Sequence, residues 1–389
     1  MSILRYILFI FLLSYLFIIC FTEWQRVSNA EDFKDIYSSR STLQINNASS
    51  KLVVRHSEEE LEEIRRIEAF EQQVVYNLRK NHMFHGKKIL AGDFENRFKV
   101  NFKGQMGSRL EIRKSPLELL CDMKNKVKLH IFQQGDPFFR SKKLDQYFMY
   151  SPVLSNKTFN SCAIVTNSGS LINSGLGTFI DSHDIVIRFN GAPTSGYEKD
   201  VGSKTSLRVV NSQVLYKFEN EFKNFNSLSP VIVWDPTNYN ASVREWYSNP
   251  DMPFFDIFFA QRRMKPEEPL YLLHPGSLWS LWDWLQSQLK WPIVPNPTTS
   301  GFLGLAIAVQ HCSIVRTFEY IPSLRYFNKC HYYGMKVWTQ YGSGHPCTYG
   351  SWHPVSSEKL MTLALNIGKK KEIYSDGFVT IPGFPSLKC

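Results

Sequence analysis

The 389 residues contain no C-x-x-C pair, no Asp-x-Asp, no Walker-A run, no G-x-G-x-x-G and no G-x-S-x-G. Without close cysteine pairs a structural zinc module has no starting point. The missing Asp-x-Asp removes the usual metal clamp for a sugar-nucleotide diphosphate. P-loop chemistry and ordinary dinucleotide binding lose their signatures, and a hydrolase nucleophile elbow loses its own. Long hydrophobic runs are as scarce: only Tyr6–Phe21 qualifies, which excludes a multi-span membrane protein. No internal repeat is visible. What is present is a globular composition, 43% apolar and 14% aromatic, which excludes whole-chain disorder and collagen-like architecture. The length leaves room for two domains, or one large domain with appendages.

The apolar run YILFIFLLSYLFIICF carries no charge and meets Thr22, Glu23 and Trp24 rather than small residues. A cleaved signal peptide would end in a small-residue site, so an uncleaved signal-anchor is expected, with the bulk of the chain lumenal. Beyond Cys20, the cysteines are Cys121, Cys162, Cys312, Cys330, Cys347 and Cys389. That even set points to disulfides in an oxidising compartment, with the pairing left open. Sequons at Asn47, Asn156 and Asn240 fit a secretory route. The net charge of +10 is either a solubility bias or a field that steers an anionic substrate; nucleic acid is not an expected partner of a lumenal protein.

Ser57–Asn81 reads as a helix, with Ser57 as N-cap, Glu60 at the capping-box position and an apolar stripe Leu61, Ile64, Ile67, Val74, Leu78. In a polar stretch reaching about Ser115 it is expected to serve as a spacer. From Pro116 the pattern turns to short β-branched runs between helical stretches. The strand candidates are Cys162–Thr166, Asp184–Phe189, Ser206–Asn211, Val231–Trp234, Leu270–Leu273 and Val315–Tyr320, with helices near Gly276–Leu289 and Gly301–Cys312. Such alternation predicts an α/β fold with a parallel, doubly wound sheet.

Three stretches can carry chemistry. Asn167-Ser168-Gly169-Ser170 follows the first strand as a small loop through which backbone N–H groups can approach a phosphate. Asn296–Gly301 opens a helix with Thr299 and Ser300, a cap that can also receive an anion. The C-terminal stretch holds Cys330-His331-Tyr332-Tyr333-Gly334, Cys347-Thr348, Trp352-His353-Pro354, Glu358 and Lys359, which offers a general base and a stacking surface. His183 and His311 read as packed histidines.

Four of these segments resemble a family. Cys162–Gln213 is similar to the large sialylmotif of animal sialyltransferases, NPTTSGFLGLAIAVQHC to the small one, HYYG to the third and HPVSSEK to the very small one, in family order. Within the family, VWDPTNYNASVREWYSNPD, NPTTSGFLG and the ending IPGFPSLKC look most like β-galactoside α-2,6-sialyltransferases. The resemblance implies a variant nucleotide-sugar glycosyltransferase fold: one Rossmann-like, mostly parallel sheet flanked by helices, with an N-terminal anchor and helical stem. It divides the chain into a cytoplasmic tail (1–5), signal-anchor (6–22), lumenal stem (23–115) and catalytic domain (116–389). It implies a single-pass type II protein of the Golgi membrane, compatible with a homodimer and with release by stem cleavage. It also implies the pairings Cys121–Cys389, Cys162–Cys312 and Cys330–Cys347, the second of which would bring the two candidate phosphate loops to one pocket.

Carried over by position, Asn167, Asn190, Asn211, Thr299, Ser300, Gly301, Cys330, His331, Thr348 and Trp352 would surround the CMP-sialic acid donor. Gln213, Asp251 and Lys359 would face a galactose-terminated glycan. His353 matches the family's base, and His331 would help the departing phosphate. Asn167 stands where Ser is common and His331 where close relatives have Tyr, while the stretch between Cys330 and Cys347 is longer than the subfamily pattern. The expected reaction is inverting transfer of sialic acid to the 6-hydroxyl of terminal β-galactose, with no metal or other cofactor. Alternatives are a different linkage (α-2,3 to galactose or α-2,6 to N-acetylgalactosamine) and an inactive lumenal glycan binder.

Overall fold

Near-continuous runs of Val, Ile and Leu become strands buried on both faces. The computed structural model describes residues 57–108, 112–217, 229–325, 329–334 and 346–389, without the side chains of 155–156 and 346–347. Its strands are β1 (Phe159–Val165), β2 (Ile185–Phe189), β3 (Leu207–Asn211), β4 (Val231–Trp234), β5 (Leu270–Leu272), β6 (Cys312–Phe318) and β7 (Phe378–Pro382). They form one seven-stranded sheet in the order β5-β4-β3-β2-β1-β6-β7. All pairings are parallel except β6–β7. Each strand read from the sequence is present, Val231–Trp234 with the expected ends and the others with one or both ends shifted. The last begins at Cys312, because Phe159 pairs with Cys312 in the β1–β6 register. β7 was not anticipated.

The longer helices are α1 (Glu58–Leu90), α2 (Pro116–Lys126), α3 (Phe255–Met264), α4 (Gly276–Ser287), α5 (Ser300–His311) and α6 (Val355–Ala364). Phe302 through Val309 of α5 are all buried, as a helix apolar on every side requires. Its Gly304 lies where a Cβ would meet the Phe189 ring at 2.6 Å, so glycine lets α5 settle onto β2.

α1 begins with the expected Ser57–Glu60 capping box and runs to Leu90, ending over Lys87 and Lys88, which complement the helix dipole. It is no free-standing spacer. Ile67, Val74, Leu78, His82 and His85 are buried, and α1 packs on α6 and on the short helix Lys370–Tyr374. Lys370 pairs with Glu71 at 2.6 Å, and Lys371 with Glu63. Leu61 and Ile64, expected in the apolar stripe, stay exposed. Ser57 to Cys389 is one compact unit, so a boundary drawn near 115 falls inside it. The physical reason is a hydrophobic face whose cover lies at the other end of the chain.

Cys121 bonds Cys389 and Cys162 bonds Cys312, with Cα–Cα distances of 5.5 and 5.8 Å. Cys330 is disulfide-bonded, and the side chain of Cys347 lies outside the described set. The apolar run Tyr6–Phe21 and Asn47 are outside the described residues, as is the side chain of Asn156. Asn240 is exposed. Among the described residues no helix is long and apolar enough to cross a membrane.

Candidate active site

Parallel strands deliver their carboxyl ends to one edge, and ligands of open α/β sheets gather there, where the strand order reverses. Here β1 has β2 on one side and β6 on the other, so the reversal lies at β1. Asn167, Asn190 and Asn211 follow or end β1, β2 and β3 in turn. Asn190 has a φ of +48°, a left-handed turn that Asn tolerates better than most residues. Its Oδ1 accepts from the Asn211 N–H at 3.1 Å, while Asn211 Oδ1 accepts from the Val214 N–H at 3.0 Å. Among the described residues neither amide nitrogen has a hydrogen-bond partner, so both can donate to a ligand. Asn167 donates to the Tyr333 hydroxyl at 3.2 Å, and among the described residues its buried Oδ1 has no partner.

The HYYG segment lies across the loop after β1. Ser168 and His331 form an antiparallel bridge, and the Tyr332 N–H donates to the Asn167 carbonyl at 3.0 Å. A Cβ on Gly169 would sit 2.2 Å from the Lys329 carbonyl oxygen; only glycine permits that approach. His331 is exposed and stacks on Tyr333 at 5.2 Å.

The small-motif loop meets the very small motif. Thr299 caps α5 by accepting from the Phe302 N–H at 3.1 Å, yet it faces inward. Its N–H and hydroxyl donate to Glu358 at 2.7 and 2.6 Å, and Tyr320 donates to the same carboxylate at 2.8 Å. Burial raises the Glu358 pKa against those three donors. Thr299 is therefore an anchor with both its donors engaged. The N–H groups of Ser300 and Gly301 have no partner among the described residues, so the helix start keeps two donors free. The Ser300 hydroxyl accepts from the Trp234 indole at 3.0 Å, which ties α5 to the end of β4.

Beside that loop, Asn296 donates to the Trp352 carbonyl at 2.6 Å, and His353 Nδ1 bonds the Pro297 carbonyl at 2.7 Å. A carbonyl only accepts, so Nδ1 carries the proton and the neutral ring presents the lone pair of Nε2. Burial pulls this imidazole below the ordinary histidine pKa, with the Pro297 carbonyl opposing. The ring is thus a neutral acceptor with a fixed tautomer, the form a general base needs. Trp352 is exposed beside it, and Thr348 is half-buried on the short helix Pro346–Tyr349.

Another hub gathers around Asp235. Buried Asp235 accepts from Ser212, from the Trp246 indole at 2.8 Å, and from the N–H groups of Asp251 and Met252 at 3.0 and 3.3 Å. Burial pushes its pKa up to about 6. It therefore joins the helix carrying Gln213 to the loop carrying Asp251. Asp251 pairs with Arg97. Lys359 does not join that group: it is buried beside Glu358 and Glu319, and burial lowers its pKa to about 8 while both carboxylates oppose. Glu319, raised to about 7 by burial, pairs with Arg325 at 2.9 Å. Tyr320, Asp235 and Arg97 carry no site signal in the sequence, and Glu358 is named there only as part of the chemistry-bearing C-terminal stretch.

The Cys162–Cys312 bond does not itself gather the loops. It clamps the far end of α5, roughly 18 Å along a 12-residue helix from Thr299. Glu358, Asn296 and Pro297 tie the loop before α5 to the segment carrying Trp352 and His353.

The model of glycosyltransferase family 29 (sialyltransferase) matches residues 117–370. The chain is 39% identical over 298 residues to a Gallus gallus protein named beta-galactoside alpha-2,6-sialyltransferase 2, covering 76% of this chain and 54% of that one. The Homo sapiens protein of that name is 37% identical over 298 residues, with the same coverage. The chain spans about half the length of these relatives. A crystal structure of a mammalian sialyltransferase with Gal-beta-1-3GalNAc-ortho-nitrophenol aligns at 19% identity and TM-score 0.34, covering 68% of this chain and 89% of the other.

Proposed function

The chain belongs to glycosyltransferase family 29, the sialyltransferases, and on that premise we propose that it moves sialic acid from CMP-sialic acid to the 6-hydroxyl of a terminal β-galactose, with inversion. What carries the reading is His353: Nδ1 is held by the Pro297 carbonyl at 2.7 Å, so Nε2 faces the reaction as a base. The galactose 6-oxygen forms its bond to the anomeric carbon while the bond to phosphate breaks and CMP departs. Nε2 takes the hydroxyl proton. The leaving phosphate is already anionic, and the free N–H groups of Ser300 and Gly301 can bind it at the α5 start. The Asn190 and Asn211 amides offer donors to the nucleotide half. Nothing in this scheme calls for a metal. The names of the α-2,6 relatives favour the 6-hydroxyl.

His353→Ala is expected to lower kcat by about 10²–10⁴-fold while the protein stays folded. In the unsubstituted protein the acid limb of the kcat/KM profile should fall below the ordinary histidine pKa of about 6.5, because burial stabilises the neutral base. Linkage analysis of product on galactose- and N-acetylgalactosamine-terminated acceptors, with and without EDTA, tests the reading. An α-2,3 product, activity abolished by EDTA, or near-normal turnover of His353→Ala would each remove a part of it. We also propose that residues 6–22 anchor the chain in the Golgi membrane with its carboxyl end lumenal, which protease protection of a C-terminal tag in intact Golgi vesicles checks.

A further inference from the structure

Arg97 belongs to the stretch that the sequence assigns to a stem, yet it reaches the site. Its Nη2 pairs with Asp251 Oδ1, and its guanidinium lies 5.4 Å from the Phe98 ring centroid and 5.5 Å from that of Trp352. Trp352 immediately precedes His353. The Arg97 side chain is 42% exposed, whereas Asp251 is 7% exposed. A cation facing solvent has no need to hold a nearly buried carboxylate, but a nearly buried carboxylate does need a cation.

The backbone holds Arg97 in place. Asn96 Oδ1 accepts from the Val100 N–H at 2.7 Å, Asn96 Nδ2 donates to the Val100 carbonyl at 2.9 Å, and Lys99 turns at φ +54°. Phe98 is buried at 5.8 Å from Trp279, and its carbonyl accepts from the Tyr239 N–H at 2.9 Å. Asp251 is held from the other side, its N–H bonded to Asp235. Among the described residues Asp251 Oδ2 has no hydrogen-bond partner. A planar guanidinium that takes one carboxylate oxygen and an aromatic face leaves the second oxygen oriented, and the cation opposes the burial that raises the Asp251 pKa.

We propose that Arg97 is a positioning residue for the acceptor: it fixes the Asp251 carboxylate and the Trp352 ring so that Asp251 Oδ2 receives a galactose hydroxyl beside His353. This rests on the sialyltransferase reading above. It makes residues 91–108 part of the acceptor subsite.

The test is initial-rate kinetics on the full chain with CMP-sialic acid and a β-galactose-terminated disaccharide, together with hydrolysis of CMP-sialic acid without acceptor. Arg97→Ala is expected to raise the acceptor KM by about tenfold or more. Donor KM and donor hydrolysis should stay within about twofold, and Arg97→Lys should recover only part of the loss, since an ammonium restores the charge on Asp251 but not the planar contact with Trp352. In a cycle with Asp251→Asn the two effects should fail to add, because the residues act as one unit. Thermal melting accompanies each variant; if Arg97→Ala does not fold, Arg97→Gln replaces it in the same assay. An unmoved acceptor KM, or donor KM and hydrolysis shifting in parallel with it, overturns the assignment. Absence of transfer by the unsubstituted chain would sink the sialyltransferase reading and this inference with it. Transfer with an unmoved acceptor KM sinks only the role of Arg97.

Discussion

His82 sits within α1, and its Nδ1 lies 3.0 Å from the Ser357 hydroxyl, next to the Glu358 that anchors Thr299. Burial lowers its pKa to about 4. A histidine kept neutral in the folded state but free to charge once unfolded makes the unfolded chain bind more protons between about pH 4 and 6.5. Its contribution to stability is therefore present above about 6.5 and is lost as pH falls through that window, at about 1.4 kcal/mol per pH unit at most. Asp235 and Glu319, with raised pKa values, contribute in the opposite sense, so the whole-protein profile mixes signs. The difference between the native protein and His82→Asn isolates one residue. Melting temperature against pH should decline less steeply toward acid in the variant, and parallel curves would refute the assignment. Nothing in the local sequence around His82 marks it, because its partner is 275 positions away.

At the scale of elements, α1 is legible as a helix but not as a part of the fold. Its cap, its acidic first turn and its basic last turn are local, and each acts on the backbone directly. What α1 covers is decided by α6 and by Lys370–Tyr374. A chain that starts at Ser57 is accordingly expected to stay soluble, melt cooperatively and transfer sialic acid. One that starts at Pro116 loses the cover of α6, the His82–Ser357 contact and the Arg97–Asp251 pair. It should aggregate or show no transfer; activity equal to the longer chain would show that α1 is dispensable. Any release by stem cleavage should likewise cut before Ser57. The strands show the complementary case. β1 to β6 announce themselves because a mostly parallel sheet covered by helices favours β-branched, largely apolar runs. Phe378–Pro382 does not, since an antiparallel edge strand of five residues that ends in proline resembles a loop until β6 supplies its partner.

Across the whole molecule, the disulfides join segments separated by 268 and 150 positions. Closing loops of that size removes about 5 kcal/mol of unfolded-chain entropy each in the chain-entropy model. Cys121→Ser with Cys389→Ser should thus lower the melting temperature by many degrees without moving the acceptor KM, since that bond ties α2 to the carboxyl terminus and joins none of the candidate site residues. A changed KM with an unchanged melting temperature would contradict this. Burial patterns, caps and motif order act over a few neighbouring positions, and those were readable in the chain itself: the strand runs and the helix start at Thr299, whereas His353 as the base is what the family resemblance implies. Which nitrogen of His353 is free, why Thr299 faces inward, and how Asp235 and Arg97 frame Asp251 depend on atoms 16 to 154 positions apart. Such contacts exist only once the sheet and α5 have brought those atoms together. Hydrogen bonds and ion pairs are decided by distance in space, and spacing along the chain does not contain it.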